Sequence, residues 1–137
     1  MNQTAISHLP QLLRSMQAQL EDGVYVYVCL PHDSDLSHVS YLAMFREHEG
    51  ITLIMPEQTA IALGFDILFR CAWISLSVHS DLEAVGFTAA FSSALGAKGI
   101  SCNVVAAAYH DHVFVPYEKA QQAMDCLQSL SNQALDL

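Results

Sequence analysis

Positive charge is scarce in this chain of 137 residues, where 5 Lys and Arg side chains stand against 14 Asp and Glu, for a net charge of −9. The cations are also scattered along the sequence: Arg14, Arg46, Arg70, Lys98 and Lys119. Nucleic acids and anionic membranes bind clustered positive charge, so we expect neither as a partner. Charged residues of both signs make up only 14% of the chain and hydrophobic residues 53%, which excludes a disordered chain and predicts much buried surface.

Several sequence signals are also missing. No apolar run approaches the ~20 residues needed to span a bilayer, and the N-terminal segment lacks the pattern of a signal peptide. The four cysteines form no C-x-x-C pair, which favours reduced thiols and a cytoplasmic location: Cys29, Cys71, Cys102 and Cys126. There is no P-loop, dinucleotide fingerprint or G-x-S-x-G motif, so we expect no enzyme and no cofactor.

The chain does contain clear strand and helix patterns. Strands are predicted at 24–31, 41–47, 51–55, 69–78, 102–108 and 113–115, which makes six. Helices are predicted from Ser7 to Leu20, after Pro56, from Phe87 onward and after Pro116. Gly64 and Gly99 stand where they can end the second and third of these four helices.

One order of elements occurs twice. A strand, a polar turn, a short strand, a proline and a helix follow one another at 41–63 and again at 102–130, and the two copies align at Pro56 and Pro116. The second copy, with the strand and helix before it, reads β-α-β-β-α. This order predicts an α+β, ferredoxin-like fold with an antiparallel sheet and helices on one face.

The stretch "VGFTAAFSSALGAKGISCNVVAAAYHDHVFVP", 85–116, resembles the ACT domain, a small amino-acid-binding regulatory module. With the N-terminal "LLRSMQAQLEDGVYVYVCLP", it resembles most the stand-alone tandem ACT proteins with a YHDH-x-FVP motif, which are related to the ACT domains of aspartokinases. The resemblance implies an incomplete N-terminal ACT-like unit, 1–66, and a C-terminal ACT unit, 67–137. The sequence departs from two complete units, which need eight strands where six are predicted. The loop 32–40 stands where the first unit should have a helix, and the strand at 24–30 could complete either unit.

The resemblance also implies a ligand site, formed by the loop after a first strand, the first turn of the following helix and an asparagine on the next strand. The residues concerned are Asp81, Val85, Gly86, Phe87, Thr88 and Asn103. Elementary chemistry supports such a site, because a helix starting near Gly86 offers free N–H groups to a carboxylate and Asp81 suits an ammonium group. The alternatives are that Asp81 only caps a turn and that Phe87 belongs to the core.

The "YHDH" segment contains Tyr109, His110, Asp111 and His112. On a strand, His110 and His112 would share a face and could bind one metal ion. A zinc site needs three or four ligands, and no other residue has a matching spacing. Asp111 suits a tight turn, so we expect a structural hairpin or a subunit interface here, with no metal and no catalysis.

Together these observations predict a non-catalytic sensor or regulator that binds a small molecule, most simply an amino acid. The alternatives are a ligand-free assembly module and a metal-dependent enzyme built on "YHDH". The high hydrophobic content and the side-by-side pairing implied by the resemblance predict a homodimer or a larger homo-oligomer.

Overall fold

The structure is a computed structural model and describes residues 9–78 and 86–134. In chain order the elements are α1 (Leu9–Ser15), β1 (Gln17–Leu20), β2 (Tyr25–Leu30), β3 (Ala43–Arg46), β4 (Ile51–Pro56), α2 (Glu57–Ala62), β5 (Phe69–Ser77), α3 (Phe87–Ala97), β6 (Asn103–Ala106), β7 (His110–Pro116), a 3₁₀ turn (Tyr117–Lys119) and α4 (Ala120–Gln133).

The chain folds into two compact units, one of which combines residues from both ends of the sequence. One unit is the continuous segment Asp22–Ala72, here called the middle unit. The other, called the split unit, joins the described residues before Asp22 to those from Trp73 onward. The division of the sequence into 1–66 and 67–137 stays a prediction about sequence segments. In the structure, the described residues before Asp22 pack with those from Trp73 onward.

The middle unit contains a sheet with the strand order β3-β4-β2-β5, to which β5 contributes its first residues. Strand β2 pairs antiparallel with β4, with Tyr25 opposite Pro56, and with β5, with Tyr27 opposite Phe69. Only α2 accompanies these strands. As the sequence predicted, the segment between β2 and β3 forms turns instead of a helix.

The core of the middle unit lies on one face of these strands. Its buried residues are Val26, Val28, Val39, Ile51, Leu53, Met55 and Ala60. Val39 belongs to the loop between β2 and β3, and Leu36 of the same loop packs against this core. The loop therefore covers part of the sheet with two apolar side chains, in the place where a helix would have packed its apolar face.

The split unit has its own four-strand set, in which β1 pairs with the second half of β5 and β7 lies between β5 and β6. Pairing of β1 runs from Gln17 opposite Ser77 to Leu20 opposite Ile74. Because β5 pairs in both sets, the seven strands of the described residues give each set four strands. Helices α3 and α4 accompany this set, and the predicted α+β, ferredoxin-like class is confirmed.

The predicted helix from Ser7 to Leu20 was wrong in its second half. Helix α1 ends at Ser15, and after Met16 the chain forms strand β1. The helical spacing came from Leu12, Leu13 and Met16, which are all buried. Pairing with a strand more than fifty residues away decides the conformation of 17–20, and local periodicity cannot report such a pairing.

The hairpin near the C-terminus is also displaced from its expected position. The sequence placed the turn at the "YHDH" segment, whereas β7 already begins at His110 and the turn lies at 107–109. The Ala107 N–H donates to the His110 carbonyl at 3.0 Å and closes this turn. Asp111 is therefore a strand residue opposite Ala106, and it is buried.

Candidate functional site

The start of α3 holds three of the predicted ligand-binding residues. Gly86 has φ 94°, a left-handed conformation that glycine adopts without strain, and among the described residues no side chain caps the helix. Its carbonyl accepts the Ala90 N–H at 2.9 Å. Thr88 is exposed in the first turn. The first N–H groups of α3 thus have no cap from a side chain in 9–78 or 86–134, and such uncapped N–H groups are the local geometry that a carboxylate needs.

Phe87 takes the alternative role considered from the sequence. Its side chain is 3% exposed, and its ring makes an edge-on contact with Phe91 at a centroid distance of 5.2 Å. Such a pair stabilises the packing of α3 by roughly 0.5–1.5 kcal/mol beyond the area it buries. Phe87 therefore anchors the helix, and its side chain is not available to a ligand.

The N-terminal helix reaches this position from one side. A Cβ added to Gly86 would lie 3.4 Å from Leu9 Cδ2, an ordinary van der Waals contact. A side chain at residue 86 would therefore point toward α1. A valine at residue 86 would contact Leu9 and be strained by the positive φ.

The other predicted ligand residues are Asp81, Val85 and Asn103. Asp81 and Val85 lie outside the described residues. Asn103 is exposed at the start of β6 and pairs opposite Phe114. Because alternate strand residues share a face, Asn103 lies on the same sheet face as Val105 and its partner His112. Cys102 next to it contacts α3, with Sγ 4.0 Å from Ser92 Oγ.

A second group of polar residues lies on the sheet of the split unit. The Trp73 indole N–H donates to His112 Nδ1 at 3.0 Å, and the two ring centroids are 5.7 Å apart. Burial, and then the neighbouring His110, lower the pKa of His112, while Asp111 and Glu21 act in the opposite direction. His112 is thereby favoured in its neutral form.

Asp111 and Glu21 flank this histidine in different ways. Burial raises the pKa of Asp111, and the charge of His112 partly offsets that rise. The Ser75 hydroxyl donates to Glu21 Oε1 at 2.9 Å, and the Glu21 N–H donates to the Trp73 carbonyl at 2.9 Å. Sequence reasoning missed Trp73, Glu21 and Ser75. The available signal was that the one tryptophan of the chain shares the polar side of β5 with Ser75.

These groups do not form a metal site. Within residues 9–78 and 86–134, no three His, Cys, Asp or Glu side chains lie close enough together to hold an ion. His110 and His112 do share a face, with ring centroids 6.2 Å apart. Binding of no metal stays a prediction for the whole chain.

The four thiols are free, as the sequence predicted. Burial raises the pKa of Cys71 to about 12, and it also raises the pKa of Cys102 and of Cys126. A thiol with a raised pKa is a poor nucleophile at neutral pH. Only Cys29 is exposed. No helix in the described part of the chain is long and apolar enough to cross a membrane.

The helices of the split unit also border a groove of about 610 Å³. It is lined by Ala94, Ala97, Lys98, Gln122, Asp125, Cys126, Ser129, Leu130 and Gln133. The α3 residues among them come from its last turn, so the groove lies at the opposite end of this helix from Gly86. The groove is therefore separate from the ligand position predicted from the sequence.

Comparison with known families finds two matches that follow one another along the chain. One ACT-domain model matches residues 4–72 and a second matches residues 68–129. The chain therefore belongs to the ACT-domain family, and it carries two such matches in tandem. The resemblance noted in the sequence is confirmed, although these matches do not test the role of the YHDH segment.

Solved structures show the same fold. A Vibrio cholerae protein of unknown function, described as a possible transport protein, is 43% identical over 90% of this chain and 95% of its own, with a TM-score of 0.82. The regulatory subunit of aspartate kinase from Thermus flavus is 12% identical over 84% of this chain and 95% of its own, with a TM-score of 0.58.

A third similar structure belongs to a larger enzyme. Aspartate kinase from Clostridium acetobutylicum is 10% identical over 84% of this chain and 34% of its own, with a TM-score of 0.66. At such identities the two kinase structures show a shared fold and nothing more. No curated protein sequence matches the chain.

Proposed function

We propose that this protein is a non-catalytic, cytoplasmic regulatory protein that binds a free amino acid through the split unit. The observation that carries the proposal is the start of α3, where Gly86 is left-handed and no side chain of the described residues caps the helix. The tandem ACT matches support it, because ACT domains are regulatory modules that bind small molecules.

The chemistry of the site favours a ligand with a carboxylate. The first turn of a helix presents unpaired N–H groups and the positive end of the helix dipole. A hydrogen bond to a charged group contributes roughly 1.5–3 kcal/mol, so the loss of one such bond weakens binding by about tenfold or more. Asp81 is our proposed partner for the ammonium group, and Asn103 stays a proposed ligand residue.

Thr88 provides a sharp test, because it is exposed in the first turn of α3. A carboxylate introduced at this position stabilises the helix by roughly 0.3–1 kcal/mol through the dipole. The same carboxylate repels a ligand carboxylate. Thr88→Asp should therefore raise the melting temperature slightly and lower the affinity about tenfold, whereas the neutral Thr88→Asn should change the affinity by less than about threefold.

The ligand is first identified by a thermal-shift screen of the twenty amino acids and is then titrated by calorimetry. If Thr88→Asp binds the hit as tightly as wild type does, the ligand does not use this helix. Asp81→Ala tests the ammonium partner in the same assay. If no amino acid changes the melting temperature, the second candidate below is the better one.

The second candidate, an assembly module, is favoured by the distribution of exposed apolar side chains. Eight of the twelve large ones in the described part of the chain belong to the middle unit: Tyr41, Leu42, Met44, Phe45, Ile61, Leu63, Ile67 and Leu68. Phe45 is 71% exposed on β3, which pairs only with β4 among the described strands. A strand with an open edge and apolar side chains is a surface suited to pairing with a second copy.

We therefore propose a homodimer or larger homo-oligomer that uses this surface. Sedimentation velocity at micromolar concentration should show an oligomer for wild type and a smaller species for Phe45→Asp. Tyr109→Asp is the matched control, because Tyr109 is 78% exposed but lies in the β6–β7 turn of the split unit. A monomeric wild type would refute oligomerisation, and an effect of Tyr109→Asp alone would place the contact elsewhere.

A further inference from the structure

The hydrogen bond between Trp73 and His112 fixes the protonation state of the histidine. An indole nitrogen can only donate, so His112 Nδ1 must accept with a free lone pair. In the neutral ring the proton then resides on Nε2. The bond connects a side chain on β5 to one on β7, which are neighbouring strands of the split unit.

Protonation of His112 is incompatible with this bond. An imidazolium carries an N–H on both ring nitrogens and has no acceptor. A proton taken from solvent by Nδ1 would face the indole N–H, placing a donor against a donor at 3.0 Å. The two side chains must then separate, and the indole N–H must find water or another acceptor.

The charged groups around His112 come from β7 and from the residue that follows β1. His110 and Asp111 neighbour it on β7, and Glu21 follows β1. Strand β6 contributes Val105, which carries no charge, opposite His112. A positive charge on His110 disfavours protonation of His112, whereas the carboxylates of Asp111 and Glu21 favour it. Burial is the largest influence and also favours the neutral ring.

We propose that the Trp73–His112 bond is a pH-sensitive latch between β5 and β7, closed while His112 is neutral and opened when its Nδ1 takes a proton. The latch does not depend on the proposed amino-acid site. Because the folded state favours neutral His112, this contribution to stability is complete above pH 6.5. It is lost as the pH falls from there through the lower pKa of the folded state.

Trp73 is the one tryptophan of the chain, so its fluorescence reports on the latch directly. The full-length protein is titrated from pH 8 to pH 4, with circular dichroism defining the range over which it stays folded. We expect one sigmoidal change in Trp73 emission with its midpoint below 6.5, because the pKa of His112 is lowered. A flat signal over the folded range would overturn the proposal.

Three variants test whether the pH transition in Trp73 fluorescence reports the protonation of His112. His112→Gln should abolish it. His110→Gln should preserve it and raise the midpoint, because His110 lowers the pKa of His112. Glu21→Gln should lower the midpoint, because Glu21 acts in the opposite direction. A transition that survives in His112→Gln, or disappears in His110→Gln, would contradict the assignment.

If His112→Gln does not fold, nitrogen NMR of wild type provides an independent measurement. The Nδ1 of His112 should show the shift of an unprotonated nitrogen at pH 8 and that of a protonated one below the fluorescence midpoint. A proton found on Nδ1 at pH 8 would overturn the proposal, because that nitrogen could not accept from Trp73.

Discussion

Replacement of Leu12 by alanine tests the assignment of the N-terminal segment to the split unit. Leu12 is 0% exposed on α1, and the segment that follows it pairs with β5. The truncation removes three buried carbon atoms and leaves a cavity. Fully buried Leu→Ala changes cost about 2–5 kcal/mol, and complete burial places this one near 3 kcal/mol or above.

Gln11→Ala is the matched control, because Gln11 lies on the same helix and is exposed. Such a surface change stays within about 0.5 kcal/mol. Urea unfolding followed by Trp73 fluorescence measures both variants, since Trp73 belongs to the split unit. If the two variants differ by less than about 1 kcal/mol, α1 is not packed into this unit and the grouping of the first segment with the last is incorrect.

Two further predictions concern single positions. Asp111→Asn should stabilise the protein at pH 7, because burial raises the pKa of this carboxyl, and the advantage should shrink as the pH falls through that raised pKa toward 3.8. Urea unfolding at several pH values checks this, and a constant difference would contradict it. Gly50→Ala should destabilise by roughly 1–3 kcal/mol, because the new Cβ would lie 2.7 Å from the Leu30 carbonyl oxygen. Gly96→Ala, with nothing within 4 Å in α3, should stabilise by about 0.5–1 kcal/mol, and the reverse order of melting temperatures would refute both.

The sequence predicted the features that depend on neighbouring residues. Apolar alternation located the longer strands, and prolines marked the helices that follow them. Gly64 and Gly99 have positive φ and follow the C-cap residues of α2 and α3, as expected of helix stops. The order strand, turn, strand, proline and helix carried enough information to predict a ferredoxin-like fold.

Features that depend on distant residues escaped the sequence. Strand β1 forms by pairing with β5, with Gln19 opposite Ser75. Strand β7 likewise forms by pairing with β6, although its first residues are polar. For the site, the sequence located the start of α3 but not the contact of Leu9 with Gly86 or the bond from Trp73 to His112. Each of these pairs joins residues far apart in the chain, so no local sequence pattern predicts it.

The division of the split unit between the two ends of the chain has a consequence for synthesis. Residues 22–72 are contiguous, so the middle unit has all its strands once residue 72 leaves the ribosome. Helix α1 and strand β1 are made first. Strand β1 must wait for the second half of β5, and α1 must wait for α4, which is the last of these elements to be made. Folding should therefore begin in the middle unit, and the leading segment should dock late, since contacts between distant residues form slowly.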